Sequence, residues 1–307
     1  MWAERKPDET REVAIGPYKV VTYSFGPSDK PGGSETILLL NGGPGLPCDY
    51  LREAHSFLAD HGFRVVIFDQ LGTGKSDRPT DKSLWTITRY VEEVETVRQA
   101  LDLGKVHLLG HSWGGWLAIE YALTHGGQLK SLMLEDTMAD IPHAVAELNR
   151  LRGALGSETV AMMLRHEAQG TINHPEYMGA VTVLNYRHVC RLEEWPAPLK
   201  RSLDDWNMGP YVEMQGANEF VYTGNMKDWN RAADLHRITV PTLITVGQHD
   251  ELTPACALRM KHHLPRAELK VFPNSSHMPF YEEPAAYDAV LLDLLKRQIP
   301  STRRGEG

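Results

Sequence analysis

The sequence predicts an α/β fold: a mainly parallel central sheet flanked by helices, with a helical segment inserted late in the chain. Three observations carry that reading. Continuous apolar runs of strand length alternate with helix-length amphipathic stretches up to about Leu134, the strand signal disappears between about Met138 and His236, and it returns with Thr242-Leu-Ile-Thr-Val246. In the interval the apolar residues recur at helical spacing, as in Val145, Leu148, Leu151, Leu155 and Val160, Met163, Leu164. The expected organisation is therefore a core in two parts, residues 1–137 and 237–307, interrupted by a helical cap over 138–236.

The elements follow in order. Alternating β-branched and polar residues from about Arg11 to Phe25, broken at Gly16-Pro17, predict an antiparallel hairpin, and Lys30-Pro-Gly-Gly-Ser34 predicts a loop. Thr36-Ile-Leu-Leu-Leu40 has the unbroken apolar character of a strand buried on both faces, and it runs into the glycine-rich turn Asn41-Gly-Gly-Pro-Gly45. Next come a helix over Tyr50–Ala59, a strand over Phe63–Phe68, a helix over Thr88–Leu101 and a strand over Val106–Leu109. A helix after Ser112 and a strand over Leu129–Leu134 complete the first part. Beyond the insert lie strands at Thr242–Val246 and Leu269–Phe272 and a last amphipathic helix over Ala285–Arg297. Such alternation implies right-handed crossovers and a sheet covered on both sides.

Composition narrows the function. The chain has 307 residues, 42% hydrophobic and 23% charged, so it can bury a substantial core and is neither disordered nor a disulfide miniature. With 32 Lys and Arg against 40 Asp and Glu, the formal charge is −8, which argues against nucleic acid or an anionic membrane as partner. Cys48, Cys190 and Cys256 are an odd number at wide spacing, as free thiols in a reducing compartment would be. The charged start of the chain lacks the apolar core of a secretory signal, and the expected location is cytoplasmic.

The chemistry centres on Gly110-His-Ser-Trp-Gly114, a Gly-x-Ser-x-Gly pattern. Three residue types at about 7% each recur by chance in roughly one chain of this length in ten, so context must decide. Here the serine stands between a buried strand and a helix, at an elbow that lifts its hydroxyl above the sheet and aims the helix N-terminus at developing negative charge. A serine nucleophile needs a base, and the base needs an orienting carboxylate. In this topology the acid follows the nucleophile and the histidine comes last; Asp250 and His277 occupy the loops after the last two strand signals. His249 is the rival base, but it adjoins the acid and would have to fold back to reach Ser112. For the oxyanion hole, Trp113 N–H is one expected donor and Gly43 N–H the other, with Gly42 as second choice.

Two other chemistries are not supported. Gly72-Thr-Gly-Lys-Ser76 resembles the end of a phosphate loop, but the first glycine of that motif is replaced by Asp69, so a structural loop is expected there. No His-Glu-x-x-His and no clustered Cys/His spacing suggests a metal, and no cofactor is expected.

Together, Asn41-Gly-Gly-Pro-Gly45, Asp69-Gln-Leu-Gly-Thr-Gly-Lys-Ser76, Gly110-His-Ser-Trp-Gly-Gly115, Gly247-Gln-His-Asp-Glu251 and Ser276-His277 resemble the proline iminopeptidase branch of the α/β-hydrolases, over about Ile37–Pro279. The resemblance implies an α/β-hydrolase fold and a cofactor-free serine hydrolase that acts on small peptides or amino acid amides. It also implies that carboxylates in or near the cap hold the substrate's free α-ammonium. Glu219, in Gly216-Ala-Asn-Glu-Phe220, and Glu251 match those positions, with Gly42 also in contact with substrate. The family usually carries histidine where this chain has Asn41. Trp206, Phe220, Tyr222 and Trp229 are expected mainly to fill the cap core. Two rival readings follow: an amidase, esterase or lactonase for a small metabolite without amine recognition, and a non-catalytic receptor on the same fold, which would be expected to have a damaged triad.

Overall fold

Strand β1 (Glu9–Ile15) pairs with β2 (Tyr18–Phe25) across the Gly16-Pro17 turn, and β2 lies antiparallel to β4 (Arg64–Asp69). The structure is a computed structural model that describes residues 5–27 and 35–299; the expected loop at 30–34 lies outside the described residues. Strands β3 (Thr36–Leu40), β5 (Val106–His111) and β6 (Leu129–Glu135) add in parallel. Between β3 and β6 lie the helices α1 (Asp49–His55), α2 (Ile87–Ala100) and α3 (Trp113–His125).

After β6 the chain forms α4 (Ile141–Gly153), α5 (Ser157–Gln169), α6 (Pro175–His188), α7 (Ala197–Asp204) and α8 (Met208–Met214), then a small hairpin, β7 (Gly216–Asn218) and β8 (Val221–Tyr222). Strands β9 (Thr242–Gly247) and β10 (Ala267–Phe272) rejoin the sheet, with α9 (Pro254–His263) between them and α10 (Pro279–Glu282) and α11 (Pro284–Gln298) after. The eight-stranded order is β1-β2-β4-β3-β5-β6-β9-β10, with every pair from β4 to β10 parallel.

The buried central strands explain the apolar runs. Every residue of β3, β5 and β9 is buried. Because side chains alternate along a strand, Leu38 and Leu40 pack into the layer of α2 and α3, while Ile37 and Leu39 pack into the layer of α1 and α11. Each such side chain contributes on the order of 2 kcal/mol relative to exposure. The edge strand β10 alternates buried and exposed residues instead.

The inserted helices have their own small core of Leu148, Met163, Tyr177, Leu184 and Phe220. Helix α4 starts where the Asp140 carboxylate accepts the His143 N–H (3.0 Å), with Pro142 in its first turn. The insert is tied to the sheet layers by Tyr50 N–H, which donates to Ser202 Oγ on α7 (3.1 Å).

One expectation needs correction, and two elements had no counterpart among those expected. The helix expected over 50–59 is α-helical only to His55; Ser56–His61 tighten into a 3₁₀ segment that Gly62 closes in a left-handed conformation (φ 85°). The hairpin β7–β8 and the short α10 were not expected, because two to four residues are too few to display a period.

Candidate active site

Ser112 lies at the junction of β5 and α3 with φ 56° and ψ −125°, a strained conformation for a residue with a side chain. Its N–H donates to Glu135 O (3.0 Å), and its carbonyl accepts the Gly115 N–H (2.8 Å) and the Thr137 hydroxyl (2.7 Å). The glycines around it are demanded by contact. A Cβ on Gly110 would strike the Gly114 carbonyl, one on Gly114 the Leu40 carbonyl, and one on Gly115 the Thr137 side chain. The elbow is thus pressed against β3 and the chain beyond β6, with the serine at the carboxyl ends of the strands.

His277 follows β10 and meets Asp250 from the loop after β9: Nδ1 donates to Asp250 Oδ1 (2.8 Å), which also accepts the Leu252 N–H (2.9 Å). Asp250 is 1% exposed and His277 4%. Burial alone would lower the basicity of His277, but the charge and hydrogen bond of Asp250, reinforced by Glu251 and Glu219, raise it to about 9. The histidine loop is fastened from behind: Glu282 accepts the Ser276 N–H (2.7 Å), and Glu283 accepts the Ser275 hydroxyl (2.6 Å). His249 takes no part in the pairing with Asp250; its carbonyl accepts a bond from His188 Nδ1 (2.8 Å).

The glycine turn after β3 borders Ser112 from the other side. Gly43 adopts φ 123°, open to glycine and costly for other residues, and lines the same cavity as Ser112 and His277. Trp113 opens α3, so its N–H is one of the helix's unpaired first-turn donors. Gly42 also lines the cavity, but its N–H is donated to the Tyr50 hydroxyl (2.7 Å), which removes it as the second choice for the oxyanion hole.

Asn41 braces the turn, with Nδ2 donating to Leu46 O (2.6 Å), and Gln70 donates to Asn41 O (3.1 Å) while accepting the Trp113 indole N–H (3.0 Å). The departure from histidine therefore leaves a fully bonded side chain at this position.

Sequence reasoning missed a second network. His111 Nε2 faces the His277 carbonyl (2.9 Å), which can only accept, so Nε2 carries the proton. Its Nδ1 then accepts from the Tyr50 hydroxyl (2.8 Å), whose oxygen takes the Gly42 N–H. Burial holds His111 well below its ordinary basicity, and it stays neutral. The only signal in the sequence was the presence of His111 inside the Gly-x-Ser motif.

Glu219 and Glu251 reach the same cavity from the insert and from the loop after β9. Glu219 accepts the Tyr211 hydroxyl on Oε1 (2.6 Å) and Gln215 Nε2 on Oε2 (2.8 Å). Glu251 is 4% exposed; its Oε1 lies 3.9 Å from His277 Nε2, and its Oε2 is buried without a partner. Burial raises the pKa of both, opposed at Glu219 by Tyr211 and Gln215 and increased at Glu251 by Glu219 and Asp250. Among the described residues, no lysine or arginine lines this cavity; Leu46, Val189, Trp195, Leu199, Leu203 and Trp206 form its apolar side.

Of the aromatic residues expected in the cap core, Phe220 packs there and Trp229 stacks on Trp116, 5.8 Å between centroids. Trp206 instead faces the cavity and donates to Pro44 O (3.0 Å). The phosphate-loop look-alike is filled by its own acid: Asp69 accepts the Tyr23 hydroxyl (2.8 Å) and the N–H groups of Lys75 (3.0 Å) and Cys48 (3.1 Å). Cys48, Cys190 and Cys256 are buried free thiols, and among the described residues no helix is long and apolar enough to cross a membrane. Away from the cavity, His166, His174 and Glu176 bring ligand atoms within 4.8 Å, a grouping not evident from their spacing.

Comparison with known proteins agrees with this architecture. A family model described as the alpha/beta hydrolase fold matches residues 35–284. The chain is 38% identical to a proline iminopeptidase of Saccharolobus solfataricus, over 86% of each chain. It is 37% identical to one of Heyndrickxia coagulans, over 89% of this chain and 94% of the relative. The crystal structure of a proline iminopeptidase of Mycobacterium smegmatis superposes with a TM-score of 0.86 at 32% identity, covering 94% of this chain and 98% of that one. An elbow serine, a late Asp and His and a sheet of this order, seen in a chain that aligns with these relatives over nearly its whole length, place the protein in the proline iminopeptidase family of the α/β hydrolases.

Proposed function

We propose that the protein is a serine hydrolase that removes an unblocked N-terminal residue, proline or another small amino acid, from peptides or amino acid amides. Ser112 attacks the carbonyl while His277 Nε2 takes its proton, and Asp250 holds the imidazole and stabilises its charged form. The N–H groups of Trp113 and Gly43 receive the oxyanion. His277 then protonates the departing amine, and water, deprotonated by the same histidine, releases the amino acid from Ser112. Residues 138–236 act as a cap that contributes Glu219 and the apolar wall, and Gly42 lines the substrate's path. The buried free thiols support a cytoplasmic location.

The observation that carries the substrate class is the Glu219–Glu251 pair. Two carboxylates on the wall of a largely apolar cavity, with one buried oxygen unpartnered and, among the described residues, no lysine or arginine lining it, form a costly arrangement that His277, 3.9 Å from Glu251 Oε1, offsets only on one side and that a substrate ammonium would relieve. Clamped there, the amine fixes which amide carbonyl meets Ser112, and cleavage stops after one residue. Glu251→Gln tests this: KM for L-prolyl p-nitroanilide should rise on the order of tenfold, the worth of one charged hydrogen bond, whereas hydrolysis of a neutral ester should not be slowed. Equal losses on both substrates would remove the clamp and favour an esterase, amidase or lactonase without amine recognition.

A further inference from the structure

Asp136 follows directly on β6 with φ 47°, a left-handed value uncommon outside glycine that aspartate adopts when its side chain is fixed by local hydrogen bonds. The bonds here run to β9, the strand that delivers Asp250. Asp136 N–H donates to Thr245 O (2.9 Å), and its Oδ1 accepts the Gly247 N–H (3.0 Å). The Gly247 carbonyl in turn accepts the Asp250 N–H (3.2 Å), so the single residue Gly247 is bonded to both acids, one on each side of its Cα.

Both side chains are buried, and their carboxyls lie within hydrogen-bonding reach of each other. Yet Asp136 Oδ2 and Asp250 Oδ2 are each buried and accept no N–H or hydroxyl from another residue. Two ionised carboxylates in that position would repel and leave two acceptors unfilled; one proton between them satisfies both.

The surroundings decide which acid carries it. Asp250 Oδ1 accepts two N–H bonds, from His277 and Leu252, and its neighbours include the basic rings of His277 and His188 as well as Glu251 and Cys256. Asp136 accepts a single N–H and faces Asp250 and Glu135, both acidic. Burial and the charge of Asp250 push its carboxyl well above the ordinary range, in keeping with this assignment.

We propose that Asp136 is held as a neutral carboxylic acid whose Oδ2–H donates to Asp250 Oδ2, making it a positioning residue for the Asp250–His277 pair. This rests on the triad reading given above. The donation gives Asp250 three hydrogen bonds, so Oδ1 stays aimed at His277 Nδ1. The pair carries one negative charge in total, matching the single positive charge that His277 gains during acyl transfer. A second ionised carboxylate would raise the basicity of His277 further and keep it protonated to still higher pH, where it cannot act as a base.

The test combines two variants and one spectroscopic reading. In Asp136→Asn, an amide N–H replaces the O–H and the amide oxygen still accepts from Gly247, so kcat should stay within about threefold of the native enzyme. In Asp136→Ala, kcat should fall about 10- to 100-fold with little change in KM, as when the outer partner of an oriented group is removed. In the infrared difference spectrum, the native protein minus Asp136→Asn should show a protonated-carboxyl C=O band at neutral pH that shifts in D₂O. That band is read without substrate and at equal folding by circular dichroism, so it does not depend on the activity assignment. Its absence would overturn the shared proton, and Asp136→Asn as slow as Asp136→Ala would overturn the positioning role. Failure of the triad reading shows separately, as fluorophosphonate labelling that persists in Ser112→Ala.

Discussion

His277 ties the site's electrostatics to its substrate. Burial would lower its basicity, but Asp250 and, more weakly, Glu251 and Glu219 raise its pKa to about 9. A base must be neutral to accept the serine proton, so kcat/KM for an ester without an amino group should rise with pH through that value, since this parameter follows the free enzyme. Glu251→Gln removes one negative neighbour and should move the limb toward lower pH. A substrate ammonium supplies the same compensation, so kcat for a prolyl anilide should reach its plateau at lower pH than the ester's kcat/KM. Superimposable limbs for native and variant enzyme on the ester would show that Glu251 does not act on His277. The sequence order Ser112, Asp250, His277 was readable because each residue follows a recognisable strand within five positions. The bonds from Tyr50 to His111 and from Asp136 to the Asp250 loop were not, because they join residues distant in the chain through side-chain directions that no local period encodes.

Among the elements, the elbow between β5 and α3 has the least freedom. Gly114 packs its Cα against the Leu40 carbonyl at the end of β3, so Gly114→Ala must either shift the helix or part the two strands. We expect a destabilisation on the order of 3 kcal/mol from this overpacking, measured by urea unfolding, together with loss of fluorophosphonate labelling at Ser112. An alanine variant with native stability would mean that β3 and α3 are less closely pressed together than described. The glycine pattern made this element legible, and the unbroken apolar runs did the same for β3, β5 and β9. The hairpin β7–β8 that carries the approach to Glu219 was invisible, its strands being only three and two residues long. The helix expected at 50–59 is α-helical only to His55, and Gly62, left-handed and donating its N–H toward Ala59 and Leu58, closes the tighter segment that continues it to His61.

At the scale of the molecule, one sheet gathers the chemistry at its carboxyl edge: the glycine turn after β3, the serine after β5, Asp136 after β6, the acid after β9 and the histidine after β10. The inserted helices cover that edge and help line a cavity with an acidic corner and an apolar side. The insertion itself was legible, because the strand signal stops near residue 138 and resumes near 240. Which cap aromatics face substrate was not: Trp206 and Phe220 look alike in sequence, and only packing separates cavity wall from cap core. Whether this site selects a free amine and cleaves behind it is decided by measuring p-nitroaniline release from L-prolyl p-nitroanilide beside its N-acetyl counterpart, with Ser112→Ala as control. The enzyme should turn over the free-amine substrate and not the acetylated one, and the variant neither; equal or faster turnover of the acetylated compound would rule out amine selection.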